Sequence, residues 1–136
     1  MASGVTTFNI RISRTSRLYY TVKVFKTAAE MRNFAAKAAG GGVSYYSSAH
    51  GACIYYDEKP KNLKTANKLG YISLWEGSLS LEIVSHECVH AALGALHRKN
   101  VPSLETGDIG SDKAEELCYI QGFLLSQIAK KLYKIH

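Results

Sequence analysis

Two histidines and a glutamate stand close together in the stretch HECVH, residues 86 to 90. Apolar residues at helical spacing flank these five letters on both sides, in SLSLEIVS and AALGAL, and predict a helix. Side chains four residues apart on a helix lie on one face, with about 5–6 Å between their Cβ atoms. His86 and His90 can therefore bind one ion, and the pattern H-E-x-x-H predicts a zinc centre.

The glutamate of this pattern, Glu87, follows the first histidine directly. Zn²⁺ lowers the pKa of a bound water to about 7, and a carboxylate beside the ion can accept that proton and pass it to a leaving amine. The alternative interpretation is a helix with two unrelated surface histidines. Apolar residues around the motif favour a largely buried helix, in which unpaired imidazoles would be costly.

A catalytic zinc site usually has three protein ligands and a water, so a third ligand must be found. His97 comes seven residues after His90, about 10 Å further along the helix axis, which is out of reach of the same ion. We therefore expect His97 to be an ordinary residue at the surface or at the end of the helix. Glu115 and Glu116, at the start of the last apolar segment, are the remaining candidates.

Residue spacing favours Glu115 over Glu116. Glu115, Cys118 and Gly122 share one helix face, and two small residues on that face would allow close approach to the HECVH helix. The alternative for Glu115 is a capping box with Asp112 as N-cap.

The HECVH motif together with Glu115, Cys118, Tyr119 and Gly122 resembles the gluzincins, and most of all their small phage-encoded or prophage-encoded members. These are zinc peptidases with HExxH on one helix and a glutamate ligand on the next. The resemblance covers about residues 70 to 130. It implies a Zn²⁺ cofactor held by His86, His90 and Glu115, and a peptide or protein substrate, with host proteins among the candidates.

Resemblances of this kind suggest roles for two further residues, Tyr119 and Cys53, and for one strand. Tyr119 could donate a hydrogen bond to the oxyanion of a tetrahedral intermediate, and a packed core tyrosine is the alternative. The segment GYISLWEG is similar to the gluzincin strand that lies along the cleft edge and pairs with an extended substrate. Cys53 upstream of HExxH is similar to the ligand of peptide deformylases, although the other motifs of that family are absent.

The elements that must position these residues can be predicted from local patterns. Alternating apolar and polar residues, followed by a polar turn, predict a hairpin at the start of the chain. Thr27 and Glu30 form a capping-box signature, and Ser80 is a good N-cap. The predicted elements are strands at 8–12, 18–25, 43–47, 52–57 and 70–75, and helices at 28–39, from Ser80 to about Arg98, and from Ser111 or Asp112 almost to the C-terminus. This order predicts an α+β, minimal zincin-like fold, with a small mixed sheet on three helices and HExxH on the second.

Composition limits the classes of protein. With 136 residues, 46% of them hydrophobic, the chain fits a single domain over 1–136. No segment has the apolar run of a signal peptide or a bilayer span, so we expect no membrane partner and a cytoplasmic location, in the host cell if the protein is phage-encoded. Cys53, Cys88 and Cys118 are predicted to be reduced thiols or metal-binding residues.

The net charge of +6 comes partly from the basic segments 11–17 and 130–136, and gives weak support to a nucleic-acid partner. The main alternative function has another basis, because the chain is very short for a peptidase and has no obvious second lobe to form specificity pockets. This alternative is a phage or mobile-element factor that binds a host protein or nucleic acid, with a zinc site that is mainly structural. Glu87 distinguishes the two functions, because a structural site needs no carboxylate beside its first ligand.

Overall fold

The computed structural model describes residues 5–40, 49–56, 59–99 and 111–133 as an α+β fold with a four-stranded mixed sheet and three α-helices. In chain order the elements are β1 (Thr6–Arg11), β2 (Tyr19–Phe25), α1 (Ala28–Ala39), β3 (Ala52–Tyr55), β4 (Lys68–Trp75), α2 (Leu81–Arg98) and α3 (Ser111–Leu132). The predicted α+β class with a small mixed sheet and three helices is confirmed, and so is the position of HExxH on the second helix. The zincin-like character of the fold stays a prediction. The strand predicted at 43–47 lies outside the described residues.

The sheet has the strand order β1-β2-β4-β3. β1 and β2 form the predicted antiparallel hairpin, β2 and β4 are parallel, and β3 pairs antiparallel with β4. β2 pairs with β4 along nearly the whole strand, and β3 pairs with its residues 70–73 on the other side. The expectation that the GYISLWEG strand lies at the cleft edge and pairs with a substrate is therefore wrong for residues 70–73, which have a neighbouring strand on each side. Ile72 and Leu74 are fully buried, as expected for a central strand.

Helices cover both faces of the sheet. α2 and α3 share one core with β1, β2 and β4, whereas α1 packs against the opposite face, where Met31 and Ala35 are buried. The hydroxyl of Tyr20 donates a 2.7 Å hydrogen bond to the carbonyl of Ala91, which ties the middle of α2 to β2. The HECVH helix is thus held directly on the sheet.

The start of each of the first two helices is set by a side-chain cap. The hydroxyl of Thr27 accepts a hydrogen bond from the amide of Glu30 at 3.2 Å, and the hydroxyl of Ser80 accepts one from the amide of Ile83 at 3.2 Å. Both predicted N-caps are confirmed. The Ser80 cap satisfies a backbone amide of the first turn and so favours the start of α2 at Leu81.

α3 packs through a different face from the one expected. Ile120, Leu124 and Ile128 are buried, whereas Glu115, Cys118, Tyr119 and Gly122 are exposed. A Cβ added to Gly122 would meet nothing within 4 Å. The expectation that the small residues of α3 pack on the HECVH helix is wrong, because burying three large aliphatic side chains removes more apolar surface from water.

Within the described ranges, no helix has the length and apolar character needed to cross a membrane.

Candidate metal centre

His86 and His90 form an exposed imidazole pair on α2. Their Nε2 atoms lie 3.2 Å apart, and their rings meet at 72° with centroids 4.9 Å apart. Two nitrogens bound to one tetrahedral zinc at about 2.0–2.1 Å would lie about 3.3 Å from each other. The pair thus has the separation of two ligands of one ion, and both side chains meet at their Nε2 atoms.

The surroundings of His90 favour its neutral form. The pKa of His90 is lowered by partial burial and, to a smaller extent, by the charge of His86. A metal binds the neutral form of imidazole, so a lowered pKa reduces competition from protons. Without a metal, the same short distance suits a hydrogen bond between one protonated and one unprotonated ring nitrogen.

Glu87 lies beside the pair but faces into the protein, with only 6% of its surface exposed. Burial raises the pKa of its carboxyl, against the opposing effect of the positive charge of His86. A carboxylate with a raised pKa is a stronger proton acceptor than an ordinary surface glutamate. This position suits a general base better than a metal ligand.

Gly51, just before β3, makes room for this carboxylate. A Cβ at Gly51 would lie 3.2 Å from Cγ of Glu87 and 3.4 Å from its Oε2. The segment of residues 49–51 therefore approaches Glu87 closely because residue 51 has no side chain.

An open cleft of about 340 Å³ lies over this part of α2. Its lining residues come from the segment before β3 and from the first half of α2: Ala49, His50, Gly51, Glu82, Ile83, His86 and Glu87. His50 was missed in the sequence, where the dipeptide HG indicated only a turn. No local pattern could identify it, because its place in the same cleft as His86 depends on how β3 and α2 pack together.

Glu115 and Tyr119 lie elsewhere in this structure. Both line a separate cavity of about 830 Å³ between α3 and the β1–β2 loop, and Tyr119 is 73% exposed. Glu116 lines the same cavity and forms an ion pair with Lys99. In the described part of the chain, no three His, Cys, Asp or Glu side chains lie close enough to hold a metal. The structure brings together His86, His90 and Glu87, and the roles of Glu115 and Tyr119 stay predictions.

The three cysteines are free thiols, one of the two states predicted for them. Cys88 is fully buried, and burial together with the charge of Glu87 raises its pKa to about 12. Burial, Glu87 and Cys88 likewise raise the pKa of Cys53 on β3. A metal needs the thiolate, so this environment does not favour Cys53 as a deformylase-type ligand.

The remaining histidine of α2 behaves as expected. His97 is exposed in the last turn of the helix, and its ring centroid lies 5.9 Å from that of Tyr55.

Comparisons with family models, with curated proteins and with solved structures found no match for this chain.

Proposed function

We propose that this protein is a zinc-dependent peptidase, with His86 and His90 as zinc ligands and Glu87 as the general base. The observation that carries the proposal is the 3.2 Å separation of the two Nε2 atoms on an exposed helix face, directly beside a buried carboxylate. The open cleft over His86 and Glu87 gives a substrate access to this carboxylate. Structural zinc sites are instead closed by four protein ligands, so the exposed pair favours catalysis over a structural role.

Glu115 is the third ligand in this proposal. The other candidate, Glu116, is held by Lys99, whereas Glu115 takes part in neither of the two ion pairs between described residues. Its side chain is exposed, and it would have to leave the cavity that it lines here in order to reach the imidazole pair. The third zinc ligand could thus be tested among three residues, Glu115, Glu116 and the cleft residue His50, by substituting each in turn.

Bound zinc would supply Lewis-acid polarisation of a peptide carbonyl and a water of lowered pKa. Glu87 would accept the proton of the attacking water and then donate it to the amine that leaves. Burial favours the first of these steps, because it raises the proton affinity of the Glu87 carboxylate. Tyr119, if it reaches the cleft with Glu115, would donate a hydrogen bond to the developing oxyanion.

The proposed substrate is a peptide or protein chain, with a host protein as the expected target of a phage-encoded enzyme. The cleft is lined by both His86 and Glu87, so a peptide bound there would lie next to the proposed base. A base that returns its proton to a leaving amine suits amide hydrolysis.

The first test is the zinc content of the full chain, purified without chelator or metal-affinity tag and measured by elemental mass spectrometry. We expect about one zinc per chain in the wild type, as in mononuclear zinc enzymes. We expect loss of zinc in His86→Ala and Glu115→Gln, and retention in Glu116→Gln.

Two outcomes would change the proposal. Retention of zinc in Glu115→Gln together with its loss in His50→Ala would move the third ligand to the cleft. Absence of zinc from folded wild type, even after zinc is added, would overturn the proposed metal centre.

A further inference from the structure

A second pocket, of about 310 Å³, lies between the start of β4 and the loop before it. It is lined by Tyr56, Pro60, Thr65, Lys68 and Tyr71. None of these residues lines the cleft that contains His86 and Glu87. The pocket is therefore a separate feature, and the proposed peptidase chemistry does not use it.

Positive charge is concentrated around this pocket. Nζ of Lys68 lies 3.6 Å from the centroid of the Tyr71 ring. Behind Tyr71, the ring of Phe34 packs edge-on at 5.0 Å and has Nζ of Lys23 5.2 Å from its centroid. Neither lysine takes part in the ion pairs between described residues, which are Lys26–Glu76 and Lys99–Glu116.

Arg98 adds a third cation next to Lys68. Its Nη2 donates a 3.3 Å hydrogen bond to the carbonyl of Lys68, while its Nε and Nη1 are buried and have no hydrogen-bond partner among the described residues. Buried donors that lack a partner are costly, and a guanidinium is costly to bury without a nearby negative charge. The acidic residues Asp57 and Glu58 follow Tyr56 in the sequence and lie outside the described residues.

The two tyrosines of the pocket have different environments. Their rings are perpendicular, with centroids 6.4 Å apart. Burial raises the pKa of Tyr56 to about 12, and the charge of Arg98 opposes this rise. The pKa of Tyr71 is lowered, chiefly by a hydrogen bond with Lys68 and further by the charges of Lys68 and Lys23. The surroundings of Tyr71 thus favour negative charge.

We propose that this pocket binds the phosphoryl group of a small phosphate monoester, with Lys68 as the main cation and the hydroxyls of Tyr56, Thr65 and Tyr71 as hydrogen-bond partners. A phosphate dianion offers three terminal oxygens, which suits several hydroxyl donors beside cations that form no ion pair with a described acidic residue. The volume is at the lower end of the range of about 300–1,000 Å³ for small-molecule sites, so the organic part of the ligand must be small. The same group occurs in a free ester and at the 5′ end of an oligonucleotide.

The test is a titration of the ¹⁵N-labelled full chain, followed by amide chemical shifts at constant pH and at an ionic strength balanced with sodium chloride. Inorganic phosphate, phenyl phosphate and a 5′-phosphorylated dinucleotide are the three probes. Lys68→Met removes the main cation, and Tyr71→Phe removes one hydroxyl while keeping the ring. Lys37→Met removes the same charge from an exposed position on α1 and is the matched control.

We expect phenyl phosphate to give saturable shifts at residues of the pocket. Loss of a charge-assisted hydrogen bond should weaken binding by about tenfold in Lys68→Met, and loss of a neutral one by about threefold in Tyr71→Phe. Lys37→Met should bind like the wild type. Tighter binding of the dinucleotide than of phenyl phosphate would assign the phosphate to a nucleic-acid end, and the reverse would assign it to a free ester.

Shifts that chloride reproduces, or that do not saturate, would overturn the proposal. An equal loss of affinity in Lys37→Met and Lys68→Met would do the same, because it would show attraction to net charge only. If Lys68→Met does not fold, wild-type affinity in Tyr71→Phe with every probe would still exclude a phosphate bound by these hydroxyls.

Discussion

At the scale of single residues, some side chains of HECVH are exposed to solvent and others are buried in the core. His86, Val89 and His90 are exposed, whereas Glu87 and Cys88 are buried. The expectation of a largely buried helix therefore does not hold for the face that carries the two histidines. Because this face is exposed, two imidazoles without a metal would not be costly there, and burial no longer argues against that alternative. The separation of their Nε2 atoms is what favours a metal.

Glu87→Gln tests the general base directly. Glutamine keeps the shape of the side chain but cannot accept the proton, so we expect hydrolysis of a mixed fluorogenic peptide library to fall by about 10²–10⁴-fold. The zinc content should stay at the wild-type level, because Glu87 is not a ligand in this proposal. The measurement is the initial rate at equal zinc loading.

Glu82→Gln is the matched control, since Glu82 is the other glutamate that lines the cleft. It should keep most of the activity. Equal losses in the two variants would indicate a general effect of charge in the cleft, and full activity of Glu87→Gln would exclude the proposed base.

At the scale of elements, the small residues of α2 allow this helix to pack closely on the sheet. A Cβ at Gly94 would lie 2.5 Å from the hydroxyl oxygen of Tyr20 and 2.6 Å from Cδ1 of Tyr55. Ala91 and Ala95 are fully buried on the same helix. The close approach that these residues allow is therefore to β2 and β3.

Gly94→Ala should accordingly destabilise the protein. The added methyl group overlaps two tyrosines, and overpacking of this kind costs about 1–3 kcal/mol in the free energy of unfolding. Gly122→Ala is the same substitution at an open position of α3, where we expect no loss and a gain of up to about 1 kcal/mol from helix propensity. Both values can be measured by urea denaturation.

The comparison also tests how α3 is oriented. A large destabilisation by Gly122→Ala would show that the face with Glu115, Cys118 and Gly122 is packed, as the residue spacing predicted. That result would contradict the orientation described here and would strengthen the case for Glu115 as a zinc ligand.

Elements were predictable where local residues determine them. The Thr27 and Ser80 caps set the first residues of α1 and α2, and helical periodicity placed His86 and His90 on one face. The orientation of α3 was not predictable in this way, because two of its faces had plausible partners. Ile120, Leu124 and Ile128 decide between them through the apolar area that they bury against the rest of the fold.

At the scale of the whole molecule, the order of the strands in the sheet cannot be predicted from local sequence patterns. The sequence shows a hairpin followed by later strands, but not that β4 inserts between β2 and β3. That insertion makes β4 central, places Tyr20 under α2, and sets the segment of residues 49–51 against Glu87. The cleft and its histidine, His50, thus depend on pairings between residues far apart in the chain.

Buried tyrosine and cysteine side chains in the core are expected to make the stability of the protein depend on pH. Burial raises the pKa of Tyr20 and Cys53, and burial with Glu87 raises that of Cys88 from its ordinary value of 9.0 to about 12. Raised values mean that the folded protein keeps these protons after the unfolded chain has lost them. The stabilisation is therefore complete below about pH 9 and is lost as the pH rises towards about 12, at up to about 1.4 kcal/mol per pH unit for each group.

Urea denaturation between pH 8 and the alkaline limit of folding measures this slope, with Cys88→Ala to remove one buried thiol. We expect the free energy of unfolding of Cys88→Ala to be lower near neutral pH, because a cavity is created, but to fall less steeply above about pH 9. Cys118→Ala removes an exposed thiol and is the matched control for the chemistry of the substitution. A slope that is the same in Cys88→Ala and the wild type would show that Cys88 is not protected by the core. Such a result would contradict the packing of α2 on the sheet, on which the position of Glu87 also depends.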